Sequence, residues 1–216
     1  FQSRIKKIES IWCGLEANNI YRSDLLGVLK NTLMIFFSIF NKNYTQKKPK
    51  ALLDNTPLRR LLNELIDFEA INESINNKRI TAVSITAVSY SDGKSVTFYD
   101  GEATLQPWVR SRRIGIRSKL TIDHIMASTA IPVMFPTTRI MGSYFGDGAI
   151  QQLKPISPAL HLGANKIFII GVNDNSSSEP PSLSDATNLH IHSPPSSAKI
   201  IGHILNSAFV DAIDSD

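Results

Sequence analysis

The chain has 216 residues, of which 42% are hydrophobic and 19% are charged, a composition typical of one globular domain and unlike that of a disordered chain. Its formal net charge of +4 favours anionic surfaces such as phospholipid head groups without requiring them. No DNA- or RNA-binding module is recognisable, and aromatic residues are not interleaved with the basic ones, so nucleic acid is not an expected partner.

Two apolar helices are expected at the start of the chain. Apolar residues at helical spacing mark the apolar face of the first, a scaffold helix, within residues 5–15. Residues 25–40, LLGVLKNTLMIFFSIF, are apolar nearly all round but too short and too interrupted to span a membrane. Because lysines follow within residues 42–50, two interpretations of residues 25–50 stay open. The segment is either a cap or core helix with a solvated lysine loop, or an anchor at a lipid interface.

The next part of the chain predicts a helix followed by a β-hairpin. Asn55 or Thr56 is the expected N-cap of a helix with proline in its first position. Residues 80–90 alternate and are rich in β-branched side chains, as in a buried strand. Residues 91–94 are the expected turn into a second strand at residues 95–99.

A basic loop follows the hairpin: Arg110, Arg112, Arg113, Arg117 and Lys119. The default interpretation is a solvated face. The alternative is a site for an anionic head group, because arginine favours bidentate contacts with phosphate.

Residues 120–150 are the stretch around which the rest of the chain is organised. They predict a helix closed by Pro132, a turn, a strand over residues 139–145, and then Asp147 between two glycines. Since glycine adopts backbone conformations that other residues avoid, the carboxylate is expected on a sharp, exposed loop. The alternative is an aspartate in an ordinary surface turn, as Asp-Gly pairs usually are.

The last part of the chain predicts a short helix at residues 155–162, a buried strand of the parallel type at residues 166–172, and an amphipathic helix at residues 199–216. His190 and His192 lie between the last two. No carboxylate or cysteine stands at ligand spacing from them, so no metal site is predicted.

Three short motifs resemble the second half of the signature of patatin-like phospholipases. They are residues 127–132 (ASTAIP), 135–136 (FP) and 147–149 (DGA), in that order. The resemblance covers most of the chain, from about Ile8 to the C-terminus. It implies an α/β fold, a three-layer α/β/α sandwich with a mainly parallel sheet.

The resemblance also implies a chemistry. In this family a nucleophilic serine lies in a Gly-x-Ser-x-Gly elbow, a glycine-rich loop forms the oxyanion hole, and the aspartate of an Asp-Gly-Gly or Asp-Gly-Ala motif is the base. On this sequence the base is Asp147, supported by Gly146, Gly148 and Ala149. The implied reaction is hydrolysis of an acyl ester of a phospholipid or another lipid, and the implied scheme uses no metal and no organic cofactor.

The nucleophile is missing from this scheme. No Gly-x-Ser-x-Gly occurs, and the nearest string, residues 142–146 (GSYFG), has the wrong spacing. We therefore expect a single domain over residues 1–216, truncated at both ends and inactive by itself, with the elbow and the oxyanion loop upstream. The alternative is a non-catalytic lipid-binding or scaffolding relative that has lost the nucleophile.

Two further expectations concern a triad and a location. A Ser-His-Asp triad of His124, Ser128 and Asp147 is disfavoured, because the first two stand four residues apart on one expected helix without a strained elbow.

Cys13 is the single cysteine, which excludes an intramolecular disulfide and is compatible with a reducing compartment. A cytoplasmic or peripheral-membrane location is favoured, although the chain starts without Met and a targeting signal could precede it.

Overall fold

The computed structural model describes residues 2–22, 25–40, 51–150 and 156–170. The chain divides into two compact units, Phe1–Gln152 and Leu153–Asp216. The first unit contains the sheet and Asp147. The single domain expected from the sequence stays a prediction.

The described part of the first unit begins with helices, and its strands start at residue 82. Its helices are α1 (Gln2–Cys13), α2 (Ala17–Ile20), α3 (Leu25–Phe40), α4 (Thr56–Leu65), α5 (Phe68–Asn76) and α6 (Ile122–Ser128). Its strands are β1 (Ala82–Ser89), β2 (Ser95–Gly101), β3 (Trp108–Val109), β4 (Arg113–Arg117), β5 (Thr138–Ile140) and β6 (Ser143–Asp147), and a 3-10 helix follows at Gly148–Ile150. The second unit contains α7 (Ser157–His161).

The six strands form one mixed sheet in the order β3-β4-β2-β1-β6-β5. Among the five described pairings, that of β2 with β4 is parallel and the others are antiparallel. Three antiparallel pairs are hairpins with short turns, a connection that parallel strands cannot use. The expected α/β class is confirmed, and the expected parallel character is present only in part.

Helix α6 packs on the core face of this sheet. Ala127 of α6 and Leu120 before it share a buried cluster with Ala87, Phe98 and Phe145. Phe98 and Phe145 meet edge to face, with ring centroids 5.2 Å apart, a favoured arrangement of aromatic rings. The packing fixes the end of α6 close to the end of β6.

Helix α4 is joined to α6 and begins where the sequence predicts. Asn55 is its N-cap, but the N–H of Thr56 is bound by the side chain of Asp54, whose Oδ1 accepts it at 2.9 Å. Arg59 of α4 forms an ion pair with Asp123 of α6, with Nη1 and Oδ1 2.6 Å apart.

Two expectations about strands are wrong. Residues 139–145 are not one strand, because β5 and β6 form a hairpin around Met141 and Gly142, with φ of 48° and 87°. Such angles are typical of the two-residue turns that connect antiparallel strands. Residues 166–170 form no regular structure, and Phe168 is 89% exposed; residues 171 and 172 lie outside the described part of the chain.

Several apolar side chains of α1 and α3 are exposed. Trp12 of α1 is 71% exposed, and Leu29 and Leu33 on one side of α3 are 58% and 50% exposed. None of the described helices has the length and apolarity needed to cross a bilayer. Residues 41–50 lie outside the described part, and the choice between cap and lipid interface for residues 25–50 stays a prediction.

Candidate active site

Asp147 is the last residue of β6, where main-chain contacts hold it. It pairs with Ala87 of β1, and its N–H donates to the carbonyl oxygen of Ala130 at 3.0 Å. Its Oδ1 accepts the N–H of Ala149 at 2.9 Å, while Oδ2 receives no hydrogen bond from the described residues. The residue is half-buried at a strand end, so the exposed loop expected from the sequence is wrong.

The glycines beside Asp147 provide space and not unusual backbone angles. Neither Gly146 nor Gly148 has a positive φ, which corrects the expectation drawn from glycine's conformational freedom. A Cβ on Gly148 would lie 2.5 Å from the carbonyl oxygen of Thr86, and a Cβ on Gly146 would collide with the hydroxyl of Tyr90. Glycine at position 148 leaves room for the main chain of β1, and glycine at position 146 leaves room for the movable Tyr90 ring.

Asp147 lines an apolar cavity of about 550 Å³. The walls come from α1, α2, α4 and the segment after α6, and they include Leu58, Leu61, Leu62 and Phe135. This volume lies within the range of about 300–1,000 Å³ that small-molecule pockets occupy. The arrangement of an apolar cavity with a single carboxylate suits a long hydrocarbon chain next to a polar group.

The electrostatics favour a proton acceptor at this position. Burial raises the pKa of the Asp147 carboxyl above its ordinary value of 3.8, and the hydrogen bond from Ala149 acts in the opposite direction. Burial, and then the charge of Asp147, raise the pKa of the Tyr90 phenol. A carboxylate whose pKa is raised by desolvation accepts a proton from a hydroxyl more readily than a solvated one.

The structure brings Ser128 to the same cavity as Asp147 and leaves His124 elsewhere. Nδ1 of His124 accepts the N–H of Thr121 at 3.0 Å, and its Nε2 lies 3.4 Å from Oγ of Ser118. In the described residues no hydrogen bond joins His124 to Ser128 or Asp147. His124 therefore caps the start of α6.

Four of the five cations of the expected basic loop divide into two groups. Arg117 donates to three backbone carbonyl groups at 2.8 Å and lies over the ring of Tyr99, 5.3 Å from its centroid. Lys119 forms an ion pair of 2.8 Å with a glutamate of α5. Arg110 and Arg112 are exposed and form no ion pair with any described carboxylate, so they remain available to an external anion.

Sequence reasoning missed Tyr90 and Thr86, the residues that contact the two glycines. Both residues could have been identified from the register of the β1–β6 pair, in which Ala87 lies opposite Asp147. That pairing joins segments far apart in the chain, so no local sequence pattern indicates it. Metal ligands give no further candidates: the described part of the chain has no cluster of three or more His, Cys, Asp or Glu side chains placed to hold an ion. His190 and His192 lie outside it.

Comparisons with known proteins identify the family of the chain. Searches of curated proteins and of solved structures returned no match. A family model described as patatin-like phospholipase matches residues 3–160, which is more than half of the chain and includes α6, β6 and Asp147. The chain therefore belongs to the patatin-like phospholipase family, whose general activity is the hydrolysis of lipid acyl esters.

Proposed function

We propose that the chain is the base-bearing part of a lipid acyl hydrolase that uses a Ser-Asp dyad, with Asp147 as general base. The observation that supports this most directly is the half-buried carboxylate lining an apolar cavity of about 550 Å³. The cavity takes the acyl chain, which places the ester carbonyl next to Asp147. The role of Gly146, Gly148 and Ala149 is to hold that carboxylate in position.

The reaction proceeds in two steps. A serine hydroxyl attacks the ester carbonyl and transfers its proton to Oδ2 of Asp147, and the tetrahedral intermediate releases the alcohol, which takes that proton. Water then attacks the acyl-serine ester and gives its proton to the same carboxylate. The fatty acid leaves, and the proton returns to the serine. Backbone N–H groups near the nucleophile stabilise both oxyanions.

The nucleophilic serine in this proposal belongs to a Gly-x-Ser-x-Gly segment outside these 216 residues. Support comes from the sequence, in which no such segment occurs. The chain alone is then inactive, and the scheme needs no metal or organic cofactor. Ser128 is the serine within the chain that lines the cavity, and it ends a helix without the strained elbow that a nucleophile requires.

The test uses the parent protein, meaning a longer chain that contains these 216 residues and the proposed upstream elbow. The probe is a fluorophosphonate, which labels activated serines. We expect labelling of the parent and none of the 216-residue chain. Asp147→Asn should reduce hydrolysis of a p-nitrophenyl ester by a factor of about 10² to 10⁴, the usual loss when a general base is removed. Near wild-type turnover in this variant would show that Asp147 is not the general base.

Ser128→Ala is the matched control. It should leave labelling and turnover of the parent unchanged. Esterase activity of the 216-residue chain that disappears in Ser128→Ala would instead place the dyad within this chain.

The absence of Gly-x-Ser-x-Gly from the sequence favours a second candidate, a lipid-binding relative without catalysis. A parent protein that binds lipid but resists the fluorophosphonate probe would support it. In that case Asp147→Asn should change lipid binding little, because the Asn amide keeps the size and the Ala149 hydrogen bond.

A further inference from the structure

Three turns of the sheet project from the same end. The register places Val88 opposite both Ser95 and Gly146, and Ser95 opposite Arg113. The β1–β2, β3–β4 and β5–β6 turns all lie beyond this row on the same side. We call the following residues the turn end: 90–94, 109–113, 139, 141, 142 and 144.

The turn end exposes apolar and aromatic side chains. Val109 and Met141 are each 70% exposed, and Tyr90 and Tyr144 are 47% and 43% exposed. These side chains belong to three different turns or their flanks, so they are not the fraying of one loop. Soluble proteins seldom collect large exposed apolar groups in one place without a contact to make.

The turn end is also positively charged. Arg110, Arg112 and Arg139 are exposed, and none forms an ion pair with a described carboxylate. The acidic residue of the turn end, Asp92, lies 3.6 Å from Lys94 in an ion pair. Residues 103–119 contain no Asp or Glu, so the charges of the β3–β4 hairpin are not balanced locally.

We propose that the turn end docks on an anionic phospholipid bilayer. The arginines meet lipid phosphates, which they bind as forks, Val109 and Met141 enter the boundary of the acyl region, and the two tyrosines lie at head-group depth, where such amphipathic rings are favoured. The choice of a lipid as partner rests on the proposed function. Tyr90 packs against Gly146 beside Asp147, but no residue of the turn end lines the Asp147 cavity.

The test is co-sedimentation of the 216-residue chain with vesicles of phosphatidylcholine alone or with phosphatidylserine added. We expect binding that needs phosphatidylserine and weakens with salt. The combined variant Arg110→Gln, Arg112→Gln and Arg139→Gln should lower partitioning roughly a hundredfold, since each basic residue near an anionic surface contributes about fivefold. The control Lys6→Gln, Lys7→Gln and Arg79→Gln changes the net charge equally at exposed positions elsewhere and should lower it only a few-fold.

A second variant keeps the charges and removes the apolar contacts. Val109→Ser with Met141→Ser should weaken binding to phosphatidylserine vesicles about tenfold or more, because the serines lose the insertion. Both positions are mostly exposed, so the fold should persist, as a thermal unfolding scan would verify. This variant keeps the proposal testable if the triple arginine variant does not fold.

Several results would overturn the proposal. Equal losses in the arginine variant and in its control would mean that net charge alone drives binding, and absence of binding by the wild-type chain would refute docking. Tighter binding to an RNA oligonucleotide than to vesicles, lost in the arginine variant, would make the turn end a nucleic-acid surface. None of these results bears on the fluorophosphonate test, so docking and catalysis can fail separately.

Discussion

The Asp147 carboxylate destabilises the folded chain when it is ionised, since burial raises its pKa above 3.8. The folded state then holds a proton that the unfolded state has released, so stability is full below pH 3.8 and falls as the pH rises through the folded-state pKa. Asp147→Asn does not titrate and should be the more stable protein at neutral pH. Free energies of unfolding in urea, measured at several pH values, should show a difference that grows with pH. A difference independent of pH would mean that the carboxylate is not desolvated.

The glycines beside Asp147 should differ sharply in their tolerance of a methyl group. In Gly148→Ala the new Cβ would lie 2.5 Å from a main-chain oxygen of Thr86, which cannot move without distorting β1. We expect a loss of about 1–3 kcal/mol in the free energy of unfolding, as in overpacked sites. Gly146→Ala is the matched control, because it meets the end of the half-exposed Tyr90 side chain, which can rotate away. Equal losses in the two variants would contradict this distinction.

At this scale the sequence identifies Asp147 and its glycines but gives the wrong reason for them. A Gly-Asp-Gly string indicates a special backbone geometry, whereas the structure uses the missing side chains as space for Thr86 and Tyr90. Close approach depends on which segment pairs with β6, and no local pattern contains that information. The catalytic role of Asp147 stays a prediction.

The N-terminus of helix α6 contains a histidine that should make the stability of the fold depend on pH. His124 is buried, which lowers its pKa below 6.5, and its Nδ1 must be unprotonated to accept the Thr121 N–H. The folded state therefore binds fewer protons than the unfolded state, and its stability should fall as the pH drops below 6.5. His124→Gln can still accept from Thr121 in a capping box but cannot titrate. Melting temperatures from about pH 7.5 to about pH 5.5 should fall more steeply for the wild type than for His124→Gln, and parallel curves would show that His124 does not titrate with unfolding.

Elements with strong local signals are predicted well, and those that depend on partners are not. The β1–β2 hairpin combines alternation with a glycine turn, and the predicted strands match the observed ones closely. The β5–β6 turn is not predicted because Met141 adopts a positive φ, and methionine is not a residue that indicates such a turn. Residues 166–170 read as a buried strand because they are apolar, yet an apolar run becomes a strand only where a neighbour pairs with it.

The cavity beside Asp147 exists because several elements separated in the chain converge on it, and this permits a test of the whole assembly. Leu61→Trp should fill part of the 550 Å³ and weaken binding of a fluorescent monoacylglycerol to the 216-residue chain about tenfold. The uncharged ligand avoids repulsion by Asp147. Ile80→Trp, at a position 36% exposed in the same unit and outside the cavity lining, is the control and should change binding little. Equal binding by Leu61→Trp and the wild type would exclude this cavity as the acyl site.

The main-chain anchoring of Asp147 has a consequence for how the sequence can drift. The carboxylate is positioned by the carbonyl of Ala130, the N–H of Ala149 and the ladder to β1, and every amino acid except proline supplies such backbone groups. Side chains around the site can therefore be exchanged over many generations while the carboxylate keeps its place. Only positions without room for a Cβ do not tolerate substitution. Relatives separated by long divergence would then share a few short strings of letters and little else.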